Sequence, residues 1–155
     1  MSENTISENA RRRCREIMTR SVKTATREMS LREVAQLMRD GDMGAMPVVE
    51  DGKLVGIVTD RDIVVRAIAD GREASTKIGD VMTTEIYSAS ENDFVFEAIR
   101  LMGERQVRRV PIVNEAGELA GIIAMADVAL ETEDEREIAE TLEEISSGAA
   151  FWNKN

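Results

Sequence analysis

The chain has 155 residues, 43% hydrophobic and 32% charged, with a formal net charge of −10. That length suits one domain or two small repeats sharing a core, and no run approaches the ~20 apolar residues that span a bilayer. It has no histidine and a single cysteine, Cys14, which excludes Ser-His-Asp and Cys-His catalysis, a Cys/His zinc site and an internal disulfide.

The acidic balance argues against general nucleic-acid affinity, which draws on excess Lys and Arg. Residues 1–10 are polar and lack the apolar core of a signal peptide, so a cytoplasmic location is expected. Arg11, Arg12, Arg13 and Arg15 form a local basic knot, read first as a solvated helix turn and second as a partner-binding patch.

The next segments occur twice. An offset of 64 residues sets Met18 on Met82, Thr19 on Thr83, Ala25 on Ala89, Leu37 on Leu101 and Pro47 on Pro111. One extra residue in the second turn moves the offset to 65, after which Gly52 meets Gly117, Gly56 meets Gly121, Ile57 meets Ile122 and Asp62 meets Asp127. Chance does not hold a register through that many positions, so the chain is a tandem duplication.

Each copy reads as strand, helix, strand, strand, helix. In the first, residues 22–24 are a short extended piece. Ser30 and Glu33 have capping-box spacing, and Met29 and Val34 are placed as a hydrophobic staple. Leu31, Val34, Ala35 and Met38 share a helical face, and Gly41 is the expected stop. Residues 46–50 and 53–58 are strands joined by the hairpin pair Asp51-Gly52, and residues 60–69 form a helix. Residues 70–75 are a polar linker. The second copy predicts strands at 86–88, 110–113 and 119–123, and helices at 94–102 and 125–130.

Beyond the repeats, residues 131–144 are acidic, and Ile138, Leu142 and Ile145 form a sparse apolar line suited to docking on the body or on a second subunit. Phe151 and Trp152 are expected to dock on the protein itself. The nine methionines are read as core filler rather than a metal site. The expected division is 1–14 polar and basic segment, 15–72 first repeat, 76–131 second repeat and 132–155 acidic helix and tail.

Two β-α-β-β-α copies, each closing on a glycine, two apolar residues, three variable residues and an aspartate, resemble a pair of cystathionine-β-synthase (CBS) domains, the Bateman module. The resemblance covers roughly residues 15–131. It rests on Glu16-Ile17-Met18-Thr19 and Asp80-Val81-Met82-Thr83, on Met46-Pro47-Val48-Val49 and Val110-Pro111-Ile112-Val113, and on the runs from Gly56 and Gly121. It is similar to the small bacterial stand-alone CBS-pair proteins. The resemblance implies an α+β fold with repeats packed about a pseudo-two-fold axis, and a sensor rather than a catalyst. It further implies a homodimer, an adenosine-containing ligand between the repeats (AMP, ADP or ATP, less readily NAD or S-adenosylmethionine) and a protein partner still to be identified.

On that reading Thr59 and the first amides of the following helix meet phosphate, and Asp62 accepts from the ribose hydroxyls. Thr24, Met46, Pro47 and Val48 supply a flat slot for the base, with Val22 beside them. Arg108 and Arg109 supply positive charge, with Asp60 and Arg61 flanking the turn and Lys23 a weaker cation. Ser88, Val110, Pro111 and Asp127 form the matching second site, expected to be weak, altered or empty because Ala124 replaces the hydroxyl of Thr59.

Other readings stand beside these. Thr59 and Asp62 also have capping-box spacing and can serve only the helix start. Arg108 and Arg109 can be solvated strand-start residues or partners of the acidic C-terminal segment. A ligand-independent interaction module is the alternative function. A nucleic-acid role through Arg11–Arg15 ranks below it, and the chain carries no Walker A loop, GxGxxG fingerprint or metal-ligand cluster for catalysis.

Overall fold

The computed structural model describes residues 11–131 together with Glu143 and Ile145. The apolar line at Ile138 and Leu142 and the pair Phe151 and Trp152 lie outside the described residues. The chain forms two compact units. One comprises the described residues within 1–22, 87–116 and 120–155, and the other comprises Lys23–Ile86 with Gly117–Leu119. The spatial units therefore do not coincide with the sequence copies, because each takes the opening segment of the other copy.

In the Lys23–Ile86 unit, local sequence explains most of the geometry. Ser30 caps helix α2 (Leu31–Gly41), its hydroxyl accepting the Glu33 amide at 3.1 Å. The short helix α1 (Cys14–Ile17) precedes it in the chain and belongs to the other unit. Leu31, Val34 and Met38 of α2 are buried, and Met29 packs on the same cluster, as a hydrophobic staple requires. The α2 helix ends through Asp42 in the left-handed region (φ 49°) rather than through Gly41, which remains helical. Strands β1 (Ala45–Glu50) and β2 (Lys53–Thr59) pair antiparallel, with a bulge at Val48/Val49. Asp51 (φ 52°) and Gly52 (φ 80°) make the turn between them, the positive-φ pair that a tight hairpin demands.

The expected strand at 22–24 is reduced to one residue. Ala25 bridges Val48 in parallel, its amide reaching the Pro47 carbonyl at 2.9 Å. On the far side of the hairpin, Ile57 of β2 bridges Thr83 antiparallel, at 2.9 and 2.8 Å. After β2, α3 (Asp60–Asp62) runs directly into a π-helical stretch (Ile63–Ile68), so the predicted helix at 60–69 is present but wider than an α-helix. A 3₁₀ turn (Ile78–Asp80) leads into Val81 and Met82, which join Met46, Val48 and Val58 in the core.

The other unit repeats the order. The expected strand at 86–88 lies instead at β3 (Ala89–Ser90), parallel to β4 (Arg109–Val113), with β5 (Leu119–Ala124) next to β4. Thr19 bridges Ile122 on the edge of β5, as Thr83 bridges Ile57. Helix α4 (Val95–Arg105) ends through Gln106 (φ 55°), the counterpart of Asp42. Its N-cap is Phe94, whose side chain makes no capping bond; the Val95 amide donates instead to the Arg12 carbonyl at 2.8 Å. Helix α5 (Met125–Glu131) follows β5. The core here is Cys14, Met18, Ala98, Met102, Val110, Ile112 and Ile123 among others, and Ile145 packs against it.

The basic knot is built into this unit. Arg13 lies 4.2 Å from the centre of the Phe94 ring and donates to the Asn92 carbonyl at 2.7 Å. Arg15 donates to the Asn92 side-chain oxygen at 2.6 Å. Both guanidiniums hold the turn before α4.

Candidate functional site

The repeated glycine leads each copy to its corner for a steric reason. A Cβ on Gly56 would meet the Met82 sulfur at 2.8 Å and the Thr83 carbonyl at 3.0 Å. One on Gly121 would meet the Thr19 carbonyl at 2.7 Å and the Met18 sulfur at 2.8 Å. Only glycine lets each exchanged segment lie against the strand.

From there the strand turns into a helix. In the first copy the Thr59 hydroxyl accepts the Asp62 amide and the Asp62 carboxylate accepts the Thr59 amide, each at 3.0 Å. The capping box is therefore present. The Asp60 amide is held by the Gly44 carbonyl at 2.9 Å, and an Asp60 oxygen takes the Arg61 amide at 2.8 Å. Asp62 is only 8% exposed, and among the described residues it is the one charged residue buried in the fold.

Two residues that local pattern did not single out complete its surroundings. The Thr83 hydroxyl lies 3.3 and 3.4 Å from the two Asp62 oxygens, and Arg66 Nε lies 3.7 Å from Oδ1. The signal for Thr83 was its match with Thr19 in the repeat register. Thr24 is half-buried in the same unit, while Met46, Pro47 and Val48 are buried, Met46 and Val48 within the core. Lys23 is exposed in this unit, as are Asp60 and Arg61; Val22 belongs to the other.

The second corner keeps half of that arrangement. The Ala124 amide donates to the Asp127 carboxylate at 3.0 Å, and the hydroxyl arm is absent because residue 124 is alanine. The Met125 amide is held by the Arg108 carbonyl at 2.8 Å, as Asp60 is by Gly44. Here Arg108, Arg109, Ala124, Met125 and Ala126 line a pocket of about 390 Å³. Val110 and Pro111 are buried behind the two exposed arginines, and Ser88 and Asp127 are half-buried. The two corners thus differ in charge: Gly44 and Asp60 in the first correspond to Arg108 and Met125 in the second. Arginine at the second favours an anion, whereas at the first the Asp60 carboxylate stands beside the Arg61 guanidinium, whose counterpart is Ala126.

No helix among the described residues is long and apolar enough to cross a membrane.

The comparisons with known proteins agree with the duplication. The CBS domain model matches residues 14–68 and again 78–134. The CBS domain-containing protein YhcV of Bacillus subtilis is 41% identical over 116 residues, covering 75% of this chain and 82% of its own. The crystal structure of Hypoxic Response Protein I with two coordinated zinc ions matches with a TM-score of 0.70 at 36% identity, over 77% of this chain and 98% of that one. The CBS domain pair of protein MJ0100, in complex with 5′-methylthioadenosine and S-adenosyl-L-methionine, matches with a TM-score of 0.67 at 27% identity, over 77% and 94%. Two copies of one supersecondary unit, each ending in the same glycine-to-aspartate corner and each matched by the same family model, make this chain a member of the CBS domain family with two such domains in tandem.

Proposed function

We propose that the protein is a non-catalytic regulatory module that binds an adenosine-containing ligand of the AMP, ADP or ATP class and signals the occupancy to a partner protein. The observation that carries this reading is the twice-built corner, in which a carboxylate (Asp62, Asp127) closes back on the strand end one turn into a helix. A carboxylate fixed in that way accepts hydrogen bonds from a ribose without changing protonation. The first corner, with Thr59 and Asp62, takes the ribose, and the base lies towards Thr24 and the Pro47 face of β1. The likeness to the MJ0100 pair supports an adenosyl ligand. The Arg108–Arg109 pocket at the second corner favours a phosphate-bearing ligand there, despite the missing hydroxyl at Ala124.

The chain has no histidine, and among the described residues no three Cys, Asp or Glu side chains gather.

Thermal shift and calorimetry with AMP, ADP, ATP, NAD, S-adenosylmethionine and 5′-methylthioadenosine test the proposal. A ligand at a hundredfold excess over its dissociation constant stabilises the fold by about 2.7 kcal/mol. Asp62→Ala should remove the first corner's share of that gain, whereas a panel without any shift on the wild type defeats the reading.

A second reading, pairing of two copies without a ligand, is favoured by one feature. Val64, Val65 and Ile68 are 55%, 52% and 63% exposed on a single helical stretch. Three neighbouring aliphatic side chains in water call for a cover.

A further inference from the structure

Asp62 sits at a crowded acceptor. Its Oδ2 accepts the Thr59 amide at 3.0 Å and lies 3.3 Å from the Thr83 hydroxyl, which is also 3.4 Å from Oδ1. Arg66 Nε approaches Oδ1 at a longer 3.7 Å from a half-exposed side chain. Each carboxylate oxygen offers two lone pairs. At 3.7 Å Arg66 makes an ion pair and no hydrogen bond; of the two hydrogen-bond donors the Thr59 amide cannot leave without opening the helix start, so the one able to withdraw is Thr83. Its backbone is pinned to Ile57 in both directions, at 2.9 and 2.8 Å. Its hydroxyl can still turn about the side-chain bond while the segment stays in place.

We propose that the Thr83 hydroxyl competes with a vicinal diol for Asp62 and thereby sets how strongly the site distinguishes ribose from 2′-deoxyribose. The proposal rests on the reading that an adenosine ligand meets Asp62. A ribose presents two donors, one for each carboxylate oxygen, and Thr83 lies across both oxygens at 3.3 and 3.4 Å, where such a pair would sit. A 2′-deoxyribose presents one, and a lone pair on Oδ1 accommodates it with Thr83 in place. Thr83 is thus a positioning residue supplied by the opening segment of the second copy to the site of the first.

The test is calorimetric titration of AMP and of 2′-deoxy-AMP into wild type, Thr83→Val, Thr83→Ser and Asp62→Ala. Valine keeps the shape and removes the donor, so AMP should bind about three- to tenfold tighter, the worth of one net hydrogen bond, while 2′-deoxy-AMP is unchanged. Thr83→Ser keeps the hydroxyl and should return the wild-type ratio, which separates competition from loss of packing. If Asp62→Ala loses AMP but Thr83→Val leaves the AMP to 2′-deoxy-AMP ratio unchanged, or weakens AMP, the competition is wrong and the Asp62 site stands. If AMP fails to bind the wild type, or binds Asp62→Ala equally well, the site reading falls and this proposal falls with it.

Discussion

Gly56 and Thr83 are packed backbone to backbone, so closely that a Cβ on Gly56 would lie 3.0 Å from the Thr83 carbonyl oxygen. At the equivalent place in the other copy, Gly121 and Thr19 would be closer still, at 2.7 Å. Overpacking of this kind costs about 1–3 kcal/mol because a backbone, unlike a side-chain tip, cannot step aside. Gly56→Ala and Gly121→Ala are each expected to lower the urea midpoint, Gly121→Ala by more. An alanine at either place that leaves the midpoint unchanged would mean the exchanged segment does not lie against the strand.

The unequal corners make a complementary pair of substitutions. Thr59→Ala removes one arm of a capping box and should cost about 1 kcal/mol. Ala124→Thr supplies the missing arm opposite a carboxylate that already accepts the Ala124 amide at 3.0 Å, and should stabilise by up to about 1 kcal/mol. Equilibrium unfolding of both variants decides it, and destabilisation by Ala124→Thr would show that the second corner cannot close as the first does.

Cys14 gives the protein a pH signature. Burial, with the negative charges of Asp93 and Glu97 nearby, pushes its thiol from 9.0 up to about 12. A raised folded value means the unfolded chain loses this proton first, so stability is intact below pH 9 and declines as pH rises from there towards 12. Urea unfolding at pH 8 and pH 10.5 should show a larger loss for wild type than for Cys14→Ala. At pH 8 the native thiol should react with a disulfide reagent far more slowly than in urea. Prompt labelling of the folded protein would contradict that burial.

If Val64, Val65 and Ile68 are covered by a second copy, Val65→Glu with Ile68→Glu should convert a dimer to a monomer in light scattering. Both side chains are more than half exposed, so the folded state should survive. A wild type that is already monomeric at high micromolar concentration would remove the pairing reading.

Much of this was readable before any coordinates. The Asp51-Gly52 hairpin, the Ser30 cap and both arms of the Thr59–Asp62 box depend on residues within a few positions of one another, where residue type dictates geometry, and the repeat register shows when the two halves of the sequence are laid on each other. What local pattern does not carry is partnership across the chain. Nothing near Thr83 in sequence says that it will face Asp62, nor that Thr19 will pair with Ile122. The start of α4 was legible to within one residue, but what caps it was hidden, because Phe94 has no capping group and the Arg12 carbonyl takes the Val95 amide instead. The short first strand is a single bridging alanine, Ala25, in the first copy, and in the second it lies later than expected, at Ala89–Ser90. As for the candidate site, the aspartates and arginines stood out by repeat and charge. The pocket beside Ala124 did not, since Ala124, Met125 and Ala126 carry no chemical signal of their own.

The exchange of opening segments has a consequence for a chain made from its N-terminus onwards. The unit of Lys23–Ile86 needs only Gly117–Leu119 from later in the chain, so most of it can close soon after it leaves the ribosome. Met18 and Thr19 emerge earlier still, yet their partners around Ile122 arrive about a hundred residues later. The segment around Met18 and Thr19, made before the Lys23–Ile86 unit, is thus among the last to find its place, and until β5 follows its apolar side chains stay uncovered in the cell.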